Sequence, residues 1–354
     1  RYVGARLEDN LGPPYTCYVF STRPYRMNSK LAGLHAYPFQ KLARLTQDIT
    51  PAARVPIVLS VGEPKHAAPP LVLDALRSSL GSVSSYPSTK GLPALRAAIA
   101  DWCTRRFNLS RMPLDPERHV LPACGTREAL FGLAQAVADT SVGERPVVIM
   151  PNPFYQIYEG AALLAGAEPY YVNTVSDDGY RMDLSSVPEA VLRRTRLVYV
   201  CSPGNPTGAV LDRDDYGRLL EAAQRYDFVL AADECYSEIY FDETRPPLGL
   251  LQVADELSIA DYRRCVVFHS LSKRSSLPGL RAGFVAGDGE LMGQFLQYRT
   301  YDGCTVPSIT QAASIAAWRD EEHVRTNRDL YRAKFDAVLE ILAPAMAVER
   351  PQAG

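Results

Sequence analysis

Five short runs, PVVIM (146–150), LVYVC (197–201), FVLAA (228–232), VVFHS (266–270) and GFVAG (283–287), constrain the fold of this chain more than any other feature. Each is almost wholly apolar, is bounded by Pro, Gly, Asn or Asp, and lacks the alternation of a half-exposed strand. Their length and continuity suit strands covered on both faces. The segments between them repeat with a helical period. GLPALRAAIADW puts Leu92, Leu95, Ile99 and Trp102 on one stripe, and REALFGLAQAV does so with Leu130, Leu133, Ala134 and Val137. The alternation predicts an α/β fold with a mostly parallel sheet between helices.

The 354 residues are enough for one large core and a smaller one. Residues 71–307 read as the large domain, and 27–70 as an N-terminal arm with part of a small domain. After Pro307 the pattern is helical to about Met346, so 308–354 read as the start of a second, smaller α/β domain. Residues 1–26 carry three prolines and no clean period, and read as a loosely attached extension. Either it is an upstream stretch included by a mistaken start, with Met27 the initiator, or it is a genuine arm.

With 38 Lys+Arg against 40 Asp+Glu, no global field attracts nucleic acid or an anionic membrane. No apolar run reaches the length of a membrane span. Seven cysteines without a C-x-x-C pair suggest neither a zinc knuckle nor a disulfide framework, and fit a reducing cytoplasm. The histidines lack a common spacing, so no metal is expected, and His269 reads as a packed core residue. Small molecules and further copies of this chain are the expected partners.

Ligands of open α/β sheets gather where the strands end. The runs are followed by PNPFYQIY, SPGNPTG, DECY and LSKRSSLPGLR, which deliver an aromatic, an amide, a carboxylate, a phenol, a lysine and an arginine to one rim. Singly, these have ordinary readings as surface lysine, helix cap, turn residue and solvated ion pair. Together they match pyridoxal 5′-phosphate (PLP). Its aldehyde needs an amine, its pyridine nitrogen a carboxylate, and its phenolic oxygen hydrogen-bond donors. Its phosphate needs a helix N-terminus and an arginine. Lys273, Asp233, Asn205 with Tyr236, Gly125 to Arg127, and Arg281 can fill those roles in that order. The side chains of Arg127 and Glu128 are expected to be exposed, the contribution there being backbone.

VGEP (61–64), YPSTKG (86–91), CGTREAL (124–130), NPTG (205–208), DECY (233–236) and SLSKRSSLPGLRAG (270–283) occur in this order, with 28 residues from Asn205 to Asp233 and eight from Lys273 to Arg281. The set resembles the fold-type I PLP-dependent aminotransferases of class I/II. The resemblance implies that Lys273 is the Schiff-base lysine and proton shuttle, with Asp233 on the pyridinium and Asn205 and Tyr236 on the ring oxygen. It also implies a phosphate held by Gly125, Thr126, Arg127, Ser270 and Arg281. Tyr155 would stack on the ring, with Phe154 an open alternative. Tyr86 would reach across a homodimer, and Gly62 and Asn205 would meet the substrate. Lys65, His66, Tyr298, Tyr301 and Cys304 lie in segments that either shape the pocket or serve structure.

A narrower resemblance, through AYPFQKLARL (36–45), SVGEPKHAAPPLV (60–72), PNPFYQIYEGAALLAGAEPYY (151–171) and YRTYDGCTVP (298–307), is to the N-succinyl-L,L-diaminopimelate aminotransferases of bacterial lysine biosynthesis. It implies amino exchange between the succinylated diaminopimelate and glutamate/2-oxoglutarate. The rivals are another class I aminotransferase, a PLP-dependent C–S β-lyase, and a non-catalytic PLP-binding regulator, for whose DNA-binding domain 26 residues before Met27 are too few. Relatives of this kind continue past the position of Gly354 and supply there an arginine that clamps the substrate α-carboxylate. Arg350 lies too early to match it. The expectation is a truncated small domain, with Lys65 or Arg299 as substitutes for the clamp should the chain prove fully active.

Overall fold

The computed structural model describes residues 27–55, 62–141 and 143–354. The expected extension at 1–26 and Val61 of VGEP lie outside the described residues. Seven strands form one sheet: β1 (Val120–Ala123), β2 (Val147–Asn152), β3 (Glu168–Asn173), β4 (Thr195–Cys201), β5 (Val229–Asp233), β6 (Cys265–Ser270) and β7 (Gly283–Gly287), in the order β1-β7-β6-β5-β4-β2-β3. Pairing is parallel from β3 across to β6, and β7 runs antiparallel to both its neighbours.

The helices are α1 (Pro38–Thr46), α2 (Pro70–Ser78), α3 (Pro93–Arg106), α4 (Thr126–Val137), α5 (Ile157–Ala165) and α6 (Glu189–Arg194). They continue with α7 (Arg213–Tyr226), α8 (Leu250–Glu256), α9 (Leu271–Arg274), α10 (Gly289–Asp302), α11 (Ser308–Arg319) and α12 (Glu322–Leu342).

All five apolar runs are strands. Along each, successive side chains enter opposite cores, which is why no polar alternation shows in the sequence. Val198 and Val200 of β4 join Leu95, Ile99 and Trp102 of α3 on one face. Leu197 and Tyr199 join Leu130 and Leu133 of α4 and Tyr158 of α5 on the other. Leu92, expected on the α3 stripe, is instead its exposed N-cap. The two strands without an apolar run, β1 and β3, are the sheet edges, and each contains a proline, Pro122 and Pro169. An edge tolerates a residue that cannot donate to a ladder; β1 is buried but only four residues long and β3 is partly exposed, so neither strand has the sequence signature of its neighbours.

The helical stretch after Pro307 is broken. Asp320 is extended (φ −109°, ψ 131°) and its carboxylate accepts from His323 N at 2.9 Å, so it ends α11 and starts α12. α11 packs against α2 and α3.

Ser270 of β6 and Ala123 of β1 both pair with Gly283, the first residue of β7. Because β7 is reversed, the segment that enters it meets the ends of β1, β4, β5 and β6 at one edge of the sheet. Phe284, next along β7, is buried between the rings of Trp318 (5.1 Å), His269 (5.1 Å) and Trp102 (6.1 Å). Phe284→Ala is expected to lower unfolding free energy by about 3–5 kcal/mol, read from the urea midpoint.

Candidate active site

The functional edge begins with a buried acid. Asp233 closes β5, with its Oδ2 accepting from Tyr158 Oη at 2.8 Å and its Oδ1 from Cys235 N at 3.3 Å. Burial pushes its pKa up, while the bonds from Cys235 and Tyr158 pull it back. Tyr158 lies flat on Tyr199 (4.6 Å, 13°), whose hydroxyl donates to Leu130 O at 2.6 Å. Within PNPFYQIY the sequence pattern assigns Tyr158 no role. The signal that could have found it is its spacing, three residues after Tyr155, which puts both rings on one side of the helix start.

Lys273 stands on α9, directly after β6. Its Nζ donates to Gly62 O and lies 5.4 Å from the centre of the Tyr236 ring. Burial lowers its pKa. Ser270 Oγ caps α9 by accepting from Ser272 N at 3.1 Å, which leaves its own proton free to donate. Tyr236 is half-buried, and Asn205 is exposed on the loop after β4.

On the β1 side, Gly125 is the N-cap of α4 with φ +80°, and a Cβ added there would run into the Arg281 guanidinium. Gly125 therefore lets an arginine come close to the first turn of α4. Arg281 NH1 donates to Pro278 O at 2.8 Å, and Thr126 Oγ1 lies 3.1 Å from Cys235 Sγ. Arg127 is exposed, as expected, but its Nε donates to Tyr155 Oη at 2.7 Å. Phe154 is stacked on Tyr171 (5.4 Å, 23°), while Tyr155 packs edge-on against Tyr158 (5.8 Å, 86°). Tyr86 is fully exposed and stands away from this group.

Glu128 departs from its expectation as an exposed side chain. It accepts from Cys124 N at 2.9 Å and pairs with Arg299 at 3.0 Å. Arg299, suggested as a substitute carboxylate clamp, is fully buried by that pair and by bonds to Pro122 O (3.3 Å) and Cys304 O (2.8 Å). A side chain so held cannot also grip a substrate. Lys65 is paired with Glu63, whose carboxyl it holds below the usual range.

The sequence pattern of aminotransferase class I and II matches residues 54–354. The chain belongs to this family.

Among its relatives are LL-diaminopimelate aminotransferases from Desulforudis audaxviator (31% identical, covering 88% of this chain and 77% of the relative) and Aquifex aeolicus (31%, 90% and 80%). Solved structures that resemble it include an aminotransferase from Neisseria meningitidis (47% identical, TM-score 0.87, 93% of this chain and 82% of that one). The aminotransferase AspB from Helicobacter pylori is 35% identical, with a TM-score of 0.82 over 90% of this chain and 81% of that one. PLP is the cofactor of this fold-type I aminotransferase family, and the site fits it. An amine, a buried carboxylate, phenols and a helix N-terminus backed by an arginine share one edge.

Gly125→Ala should fold yet bind PLP at least roughly tenfold more weakly, because the methyl requires a strained φ and displaces the Arg281 guanidinium. Cofactor titration followed by absorbance reads this directly.

Proposed function

We propose that this aminotransferase moves an amino group between glutamate/2-oxoglutarate and a diaminopimelate skeleton whose second nitrogen carries a succinyl group. The observation behind the transaminase chemistry is that Lys273, just after β6, and Asp233, at the end of the neighbouring strand β5, lie at one sheet edge with Gly125 and Arg281. PLP supplies an aldehyde and an electron-withdrawing ring. Lys273 would hold the cofactor through that aldehyde and would carry the proton between the substrate Cα and cofactor C4′. Burial lowers its pKa, which favours the neutral amine that takes a proton.

Asp233 would keep the pyridine nitrogen protonated. Asn205 and Tyr236 would donate to the ring oxygen, and Tyr155 would cover the ring face. The amides of Thr126 and Arg127, with Ser270 and Arg281, would hold the phosphate. Gly62 and Asn205 border the substrate, and Tyr86, useless to its own subunit where it stands, serves the partner in a cytoplasmic homodimer.

A two-ended acidic substrate is supported by Arg127. Among the described residues no carboxylate lies within 4 Å of its guanidinium, unlike that of Arg299. Tyr155 fixes it at the rim, where it can receive a second acid group. The succinylated substrate rests on the resemblance of segments 36–45, 60–72, 151–171 and 298–307. The names of the curated relatives favour the unsubstituted LL-diaminopimelate as the second reading.

Comparing kcat/KM for the two donors decides between them, with a preference for the succinylated one expected. Cystathionine breakdown to pyruvate without an amino acceptor would instead establish a β-lyase. Lys273→Ala should lose the visible absorbance that borohydride abolishes, together with nearly all turnover. Asp233→Asn should slow transamination on the order of a thousandfold, since the amide cannot hold the nitrogen charged. A few-fold effect would remove Asp233 from the cofactor site.

Mixing Tyr86→Phe with Lys273→Ala subunits should regenerate one intact site per heterodimer. Activity that stays at the level of the separate variants, in heterodimers shown to have formed, would assign Tyr86 to its own subunit.

A further inference from the structure

The turn that carries Lys273 is held from behind. α9 is four residues long, and its last carbonyls have no partner within it. Those of Lys273 and Arg274 both accept from one group, Nδ2 of Asn327 on α12, at 3.0 and 3.2 Å. Asn327 is 5% exposed. Carbonyls only accept, so Nδ2 must face them and Oδ1 must face away. There it meets His66 Nδ1 at 2.7 Å, which therefore carries a proton and donates. His66 Nε2 is buried with no partner among the described residues, so among them the ring makes this one polar bond. His66 in turn follows Gly62 by four residues, and Gly62 O accepts from Lys273 Nζ. The bonds close a ring: the Lys273 backbone to Asn327, Asn327 to His66, and the chain from His66 back to Gly62 and the Lys273 amine.

Other groups on α11 and α12 brace the same turn. Arg274 NH1 donates to Ala317 O at 2.8 Å, and His323 joins Ser275 Oγ (2.8 Å) to Asp320 Oδ2 (2.5 Å). Ser275, His323 and Asp320 stand in the order of a hydrolytic triad. Ser275 is only 1% exposed and also accepts from Arg274 NH1 at 3.2 Å, so no substrate can reach it, and the line acts as a strut.

We propose that Asn327 and His66 act as one positioning unit that fixes the Lys273 amine against the Gly62 segment, the Asn327 amide coupling the substrate-side loop to the lysine turn beside the bond that Ser276 Oγ donates to His66 O at 3.2 Å. The proposal rests on reading Lys273 as the amine that bonds the cofactor. Neither residue touches the reacting atoms. Their effect is on where the lysine stands when it hands over its proton, a geometry to which rate is steeply sensitive.

Four variants test it: Asn327→Leu, His66→Phe, His66→Gln and the Asn327→Leu/His66→Phe pair. In the cofactor-free protein, His66→Phe should speed amide hydrogen exchange at residues 271–276, although its ring bonds that turn only through Asn327. In the holoenzyme, the half-reaction with glutamate, followed by absorbance, should slow roughly tenfold or more in Asn327→Leu and His66→Phe alike. The double variant should be no slower than Asn327→Leu. His66→Gln, which keeps a donor, should recover most of the rate.

Unchanged exchange at 271–276 in His66→Phe, or a double variant slowed by the product of the single effects, would overturn the proposal. Should Asn327→Leu fail to fold, the contrast between His66→Phe and His66→Gln still decides, since equal slowing of both also overturns it. If the wild type transaminates no donor at all, the functional reading fails, and the exchange experiment still judges the coupling.

Discussion

The structure depends on keeping a carboxylate charged where water does not reach. Asp233 sits at the end of the central strand β5, and burial alone drives its pKa upward. An unpaired ionised carboxylate in such a place would cost several kcal/mol and would take up a proton instead. The surroundings are arranged against that. Tyr158 gives its hydroxyl to Oδ2, and Tyr158 is itself fixed face to face on Tyr199, which is tied to the backbone of α4 through Leu130 O. A donor to a charged group contributes about 1.5–3 kcal/mol, and one whose ring cannot turn away contributes it without an ordering cost when the cofactor binds. The second core of the sheet thus doubles as the support of the acid.

A strand's two-residue period then separates chemistry from scaffold. Asp233 faces the cofactor side, and its successor Glu234 turns to the opposite layer, where it accepts from Leu250 N at 2.7 Å and lies 3.0 Å from His269 Nε2. On β6 the same parity puts Ser270 at the site edge and His269 among Trp102, Phe107 and Phe284. The step repeats at the lysine, for Lys273 enters the site while Arg274 runs back between Trp102 and Trp318 to Glu321. Each reactive residue has a sequence neighbour buried in the support behind it. A substitution in that layer therefore reaches the site through one peptide unit.

This parity explains how much of the protein is legible in its sequence. Apolar runs buried on both faces announce themselves, and the groups delivered at their ends form a recognisable cofactor set from residue types and order alone. Edge strands β1 and β3 do not, because each is interrupted by a proline, β1 is only four residues long and β3 is partly exposed. Tyr158, Asn327 and the Glu128 pair with Arg299 escape a sequence reading for a different reason. Their partners lie 75, 53 to 54 and 171 residues away, and nothing local in the sequence encodes contacts that only the packing of α5, α12 and α10 creates. His269 is recognisable as core, since its strand parity is a local property.

The same distinction between local and distant partners governs the arginines. Near the site, Arg299 and Arg127 look interchangeable in the sequence, each a cation within a few residues of a glycine. Arg299 is neutralised by Glu128 and saturated by two backbone carbonyls, so its charge is spent on joining α10 to the start of α4. Arg127 directly precedes Glu128 on α4, yet its described side-chain partners are neutral phenols, which orient a guanidinium without cancelling its charge. Arg127 thus keeps a charge that no described carboxylate cancels, and the proposal of a substrate with two acidic ends rests on this difference between the two arginines.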